Sequence, residues 1–203
     1  MRIIKILALA ILCLTSVSCI KEKLEEGYAK QEKQIDSYFT KNQTVKRTIQ
    51  KEVTDPETGE VTTKDTTVTD TLRIVHNLGS SRLVKKEGEG PMLTKNGAVS
   101  LYYAGYVFTS SPSKLFITNH QATAEDPKNP FIVTDPDYNV LEIDMRNKDL
   151  IDGLYNGLIG VRAGEECEIA FSGKHGFGNV VFGTIPANSA LLYRIWVIGV
   201  SNE

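Results

Sequence analysis

The chain has 203 residues, 41% of them hydrophobic and 24% charged, with a formal net charge of −2 at pH 7. Charge of both signs is mixed along it and no basic stripe with interleaved aromatics occurs, which excludes a nucleic-acid-binding surface. Its 3 cysteines, at 13, 19 and 167, are too few and too unevenly placed for a disulfide framework.

The first element is a leader. Arg2 and Lys5 form a short basic region, and Ile6 to Leu14 is an unbroken apolar run. That run has the length of a signal-peptide core and is too short to span a bilayer as a helix. Ser16-Val17-Ser18-Cys19 follows where the apolar core ends, and resembles a bacterial lipoprotein processing site. The resemblance implies a leader over residues 1–18, acylation of Cys19, and a protein held on a bacterial membrane in the cell envelope, facing the periplasm or the exterior. More than one acyl chain makes such an anchor stable. Ordinary secretion with an unmodified Cys19 is the alternative. No second apolar segment is long enough to cross a membrane.

Residues 19–44 form the anchor and its sequel. Leu24, Tyr28, Ile35, Tyr38 and Phe39 recur at helical spacings within a charged background, which predicts an amphipathic helix over Lys21–Asn42. A solvated spacer is the competing reading. Residues 45–77 are rich in threonine. Val45–Ile49 and Val61–Thr63 flank a Pro56-containing, Gly59-containing turn and predict a β-hairpin extension. The run from Thr62 to Thr71 could instead be a disordered tether.

A third domain occupies residues 78–203. Strands are predicted at Arg82–Lys86, Ala98–Val107, Val140–Asp144, Glu165–Phe171 and Leu191–Val200. A helix capped by Asn147 or Asp149 runs through Leu158 and stops at Gly160. Thr109–Tyr138, with four prolines, reads mostly as loop. Cys167 alternates with Glu166 and Glu168, which puts its thiol on an apolar strand face as a buried small hydrophobe. Antiparallel strands with one helix give an α+β class.

The chemistry rests on the last third. Leu150-Ile151-Asp152-Gly153, Gly157-Leu158-Ile159-Gly160, Ala163-Gly164-Glu165 and Gly183-Thr184-Ile185-Pro186-Ala187-Asn188 follow one another without spare residues. This order, with glycines at 153, 157, 160, 164, 178 and 183, resembles the second half of an FKBP-type peptidyl-prolyl cis-trans isomerase. The resemblance covers roughly residues 78–200. It implies a curved antiparallel sheet wrapped around one short helix, preceded here by the helix and hairpin extension. The implied partners are proline-containing polypeptides, and neither metal nor cofactor is implied.

The resemblance also implies a site. Tyr103, in Tyr102-Tyr103-Ala104-Gly105, takes the place of the family's pocket tyrosine, and Phe116 that of an aromatic wall residue. The family's adjacent aspartate becomes Ile117. Leu141 and Ile143 stand where the family has phenylalanines, with Phe131 a rival for the first. Leu150 and Ile151 open the helix, and the Ile151 N–H is expected to hold the substrate carbonyl. Leu154 replaces the tryptophan of the pocket floor, and Phe177 replaces a tyrosine in Gly176-Phe177-Gly178. Ile185 and Tyr193 complete the set. Thus Tyr103, Phe116, Ile151, Phe177 and Tyr193 are expected to be catalytic, and Leu141, Leu150, Leu154 and Ile185 to bind substrate. The same residues could instead be core packing of any α+β domain, or line a pocket that binds peptide without catalysis. His76, His120 and His175 have no nucleophile or ligand spacing around them. On the last strand, Tyr193 and Trp196 fall on opposite faces by the two-residue period, so Trp196 calls for cover from the helix, the hairpin or a partner.

Overall fold

The computed structural model describes the backbone of residues 2–54, 56, 58–129 and 138–202, with side chains from residue 21 onward. The Cys19 side chain, Phe131 and residues 55 and 57 of the turn lie outside the described residues. Helix α1 (Arg2–Asn42) is followed by a hairpin, β1 (Thr44–Thr54) and β2 (Val61–Thr71). The main sheet comprises β3 (Arg73–Asn77), β4 (Ser80–Lys86), β5 (Ala98–Phe108), β6 (Pro112–Thr118), β7 (Leu141–Asp144), β8 (Glu166–Phe171) and β9 (Ala190–Ser201). Two further helices, α2 (Gln121–Ala124) and α3 (Asp152–Leu158), complete the order.

The sheet is antiparallel, in the order β3-β4-β8-β9-β5-β6, with β7 paired to the first half of β5. Period-two alternation gives it two apolar faces. Cys167, Ile169 and Phe171 of β8, with Leu191, Tyr193, Ile195 and Val197 of β9, face α3. Ala170, Leu192, Leu83, Tyr106 and Phe108 face the other way, onto Ile35 and Phe39 of α1. Irregular register between Gly105 and Tyr106, and between Ser100 and Leu101, bends β5 and curls the sheet toward α3.

The α1 stripe is therefore structural. Ile35 and Phe39 are 2% and 0% exposed, and Tyr28 is also buried. This excludes the solvated-spacer reading of Lys21–Asn42. Tyr38 reaches the Glu168 carboxylate at 3.3 Å, and burial next to that anion pushes its hydroxyl up to about 12. The hairpin is longer than expected and pairs only with itself over the described residues. The Thr62–Thr71 run is strand, not tether.

Three expectations need correction. The Thr109–Tyr138 stretch contains β6 and α2, because Leu115, buried in the outer core, and Phe116, packed against the inner one, pin the chain beside β5. Neither Asn147 nor Asp149 caps α3. The chain turns at Lys148 in a left-handed conformation (φ 54°), so both lie upstream, and Ile151 is the N-cap. Trp196 does lie on the outer face, half-buried beside the α1-side core, but its own cover is His120, stacked at 3.9 Å. Burial there lowers the His120 pKa. Gly160 (φ 86°) ends α3 as the sequence predicts.

A buried ion pair ties β4 to the residue just before β8. Arg82 and Glu165 have side chains 3% and 0% exposed, with Arg82 Nε 3.2 Å from Glu165 Oε1. The same guanidinium donates from one terminal nitrogen to the Gly157 and Ile159 carbonyls at 2.6 and 3.0 Å. It thereby satisfies acceptors that the last turn of the helix leaves open.

Candidate active site

Between the concave sheet face and α3 lies an apolar cavity of about 410 Å³. Its sheet side comes from β5 and β9, where Leu101, Tyr103, Tyr193 and Ile195 point inward by strand alternation. β6 contributes Phe116 and Ile117, and β7 contributes Leu141 and Ile143. α3 contributes Leu154 and Leu158, and the turn leading into it contributes Leu150. The segment after β8 closes the other side with Phe177, Phe182 and Ile185.

Of the residues expected from the sequence, the cavity gathers Tyr103, Phe116, Leu141, Leu150, Leu154, Phe177, Ile185 and Tyr193, from both halves of the domain. Ile151 is the exception. Its side chain is not in the lining but packs against the core beside it. Its backbone remains at the helix entrance: the carbonyl accepts from Tyr155 N–H at 3.0 Å, and the N–H precedes the first helical turn.

Local packing explains how each wall is held. Phe116 meets the Tyr193 ring edge-on at 5.9 Å, and Phe171 stacks on the same ring at 6.1 Å. Gly105 permits this, since a β-carbon there would stand 2.8 Å from the Phe116 ring. The Tyr103 backbone is clamped by the next strand. Its N–H donates to Asn119 Oδ1 at 2.6 Å and its carbonyl accepts from Thr118 Oγ1 at 2.7 Å. The buried Asn119 also donates to the Asn139 carbonyl just before β7, so one side chain joins two pocket walls. Phe182 and Ile185 exchange backbone hydrogen bonds across a tight turn at Gly183 (φ 55°), and Phe182 stacks on Phe177 at 4.5 Å. Neither Asn119 nor the ring contribution of Phe182 was predicted. A polar residue in a loop carries no signal of burial, and an aromatic in a glycine-rich loop carries no signal of the ring it stacks on.

The site is apolar and its two tyrosine hydroxyls stay neutral. Burial raises the Tyr103 and Tyr193 hydroxyls above the ordinary tyrosine value, with Tyr103 adding to the rise at Tyr193. Ile117 and Phe177, the positions where the resemblance implies an acid and a tyrosine, both lie within the lining. Phe182, 58% exposed, with Val180 and Val181, forms an apolar rim.

α3 lies unusually close to the sheet. A β-carbon on Gly153 would sit 2.1 Å from the Phe171 ring, and one on Gly157 would sit 2.2 Å from Ile169. These two glycines serve close packing, whereas Gly160, Gly164, Gly178 and Gly183 have positive φ and serve turns.

Residues 98–198 match the family model for FKBP-type peptidyl-prolyl cis-trans isomerase. The FK506-binding protein 1 of Aspergillus oryzae is 21% identical over 124 residues, which is 61% of this chain and all of that protein. Among solved structures, the N-terminal domain of FKBP42 from Arabidopsis thaliana superposes with a TM-score of 0.50 at 19% identity, covering 64% of this chain and 92% of that one. A peptidyl-prolyl cis-trans isomerase from Pseudomonas syringae pv. tomato gives 0.48 at 18% identity, covering 63% and 80%. The sheet curled on one short helix, the aromatic cavity between them and the matched family model together place this chain in the FKBP-type peptidyl-prolyl cis-trans isomerase family.

Proposed function

We propose that the chain accelerates cis-trans isomerisation of Xaa–Pro bonds in proteins that fold outside the cytoplasm, held at a membrane through Cys19. The observation that carries the isomerase reading is the apolar cavity, lined at once by Tyr103, Phe116, Leu154, Phe177, Ile185 and Tyr193. The barrier to rotation comes from amide resonance, which also makes the planar amide the more polar state. A dry, shaped cavity favours the twisted amide over the planar one. The proline ring is seated among Tyr103, Phe116, Leu154 and Tyr193, and the Ile151 N–H at the helix entrance holds the preceding carbonyl. No proton transfer is needed, in keeping with hydroxyls that burial holds neutral.

Phe177 and Ile117 remove two polar groups from the site, and this favours a second reading: an FKBP-fold module that binds peptide without turnover. Phe177→Tyr distinguishes them. One restored hydrogen bond is worth about 1 kcal/mol net, so kcat/KM on Xaa–Pro peptides is expected to rise about fivefold. A variant that folds normally with no gain in rate or in affinity for a proline-mimicking macrocycle contradicts the role given to position 177.

The membrane assignment is tested separately. Mass spectrometry of the protein from a bacterial host is expected to find Cys19 as the mature, acylated N-terminus. An unmodified Cys19, or a start elsewhere, contradicts it.

A further inference from the structure

Two segments close one side of the cavity: the turn after β8, which carries Phe177, and the loop that carries Phe182 and Ile185. Both are tied to α1 by one side chain. Gly173 N–H donates to Gln31 Oε1 at 2.9 Å, and Gln31 Nε2 donates to the Asn188 carbonyl at 2.7 Å. Asn188 N–H donates to the Gly178 carbonyl at 2.6 Å, and Gly178 N–H to the Gly173 carbonyl at 3.0 Å. These four bonds form a closed ring through Gln31, Gly173, Gly178 and Asn188.

The ring leaves little slack. Asn188 is held in the left-handed region (φ 59°), and a β-carbon on Gly173 would stand 2.5 Å from the Asn188 backbone. Tyr28, one turn before Gln31 on α1, donates its hydroxyl to Asn188 Oδ1 at 2.7 Å. Ser172 Oγ donates to Glu32 Oε1 at 3.1 Å. Three neighbouring positions of α1 therefore grip the two ends of the pocket-closing segments. Phe177 lies between Gly173 and Gly178, and Ile185 between Gly178 and Asn188, so the chain leading from each back to the sheet passes through the ring.

We infer that Gln31 is a positioning residue for the pocket: α1 acts from outside the catalytic domain to set Phe177, Phe182 and Ile185. This rests on the isomerase reading for its kinetic consequence, but not for its structural one. Hydrogen bonds from a half-buried amide to two backbone groups fix a loop because both ends must move together. Loosening a wall that touches substrate reduces catalysis without touching the sheet.

The test is amide hydrogen exchange and peptide isomerisation on the full chain, with Gln31→Ala, Gln31→Glu and the exposed control Lys33→Ala. In Gln31→Ala, the Gly173, Gly178 and Asn188 amides are expected to exchange at least tenfold faster (about 1.4 kcal/mol per tenfold). Ile169 and Ile195 in the sheet stay unchanged, and kcat/KM falls about threefold to tenfold. Gln31→Glu keeps an acceptor for Gly173 and loses the donor to Asn188. It should restore protection at Gly173 alone. Lys33→Ala behaves as the parent. Unchanged exchange at Gly178 and Asn188 in Gln31→Ala, or equal acceleration throughout the sheet, overturns the inference. An inactive parent overturns the isomerase reading, and the exchange pattern then still decides whether Gln31 holds the loop.

Discussion

Arg82→Ala is expected to cost about 3–5 kcal/mol of stability, because it strips a buried carboxylate of its partner. Arg82 makes two contributions at once. It neutralises Glu165, which is fully buried, and it caps the Gly157 and Ile159 carbonyls of α3. Burial already raises the Glu165 carboxyl above its ordinary value, and Arg82 is the main group that lowers it. Its loss raises that carboxyl further. A folded-state value above the unfolded one makes the native form the better proton acceptor, so stability is gained as pH falls toward the ordinary carboxylate value of 4.5 and lost as pH rises. The deficit of Arg82→Ala, measured by urea unfolding, is therefore largest near pH ~7.5 and shrinks toward pH ~5. Arg82→Ala combined with Glu165→Gln recovers much of the loss. An equal deficit at both pH values would mean that the cap matters and the charge does not.

Gly153→Ala is expected to lower stability by about 1–3 kcal/mol, despite the roughly 1 kcal/mol by which alanine favours a helix. The added carbon would sit 2.1 Å from the Phe171 ring, which is 1% exposed and has no room to retreat. The helix must lift, and it carries Leu154 and Leu158 of the cavity with it. Affinity for a proline-mimicking macrocycle should fall with stability. Gly164→Ala offers a contrast, since a β-carbon there meets nothing within 4 Å and the cost comes from φ 77° alone. If Gly153→Ala melts higher than the parent, the close approach of α3 to β8 is not a packing constraint.

Much of the domain was legible because its signals are periodic. Two-residue alternation put Cys167, Ile169 and Phe171 on one face, and Tyr193 opposite Trp196, as the structure has them. The Gly160 stop was equally plain, whereas the α1 stripe stood beside a solvated-spacer reading until its burial was seen. The pocket was legible only through the resemblance, since Leu141, Leu150 or Leu154 alone could fill any core. The glycine pattern carried the resemblance but not the role of each glycine. Two of those glycines are helical and mark contact between helix and sheet, a distinction that depends on the tertiary neighbour and not on local sequence. β6 was hidden by Pro112, Ser113 and Lys114, which break the alternation on an edge strand. The Arg82–Glu165 pair left no local signal, because its two members are far apart in the sequence. The Gln31 contacts cross more than a hundred residues of chain, and a glutamine on a charged helix has no signature of them.

The isomerase reading itself is tested most directly by NMR exchange spectroscopy on Xaa–Pro peptides with catalytic amounts of the full chain. Uncatalysed interconversion takes tens to hundreds of seconds. The account predicts cis-trans exchange peaks at mixing times of about one second or less for at least one residue preceding proline. It also predicts their loss in Leu154→Asp, which puts a charge on the cavity floor, and on addition of a proline-mimicking macrocycle. No exchange above background for any preceding residue, with the chain folded, would contradict it.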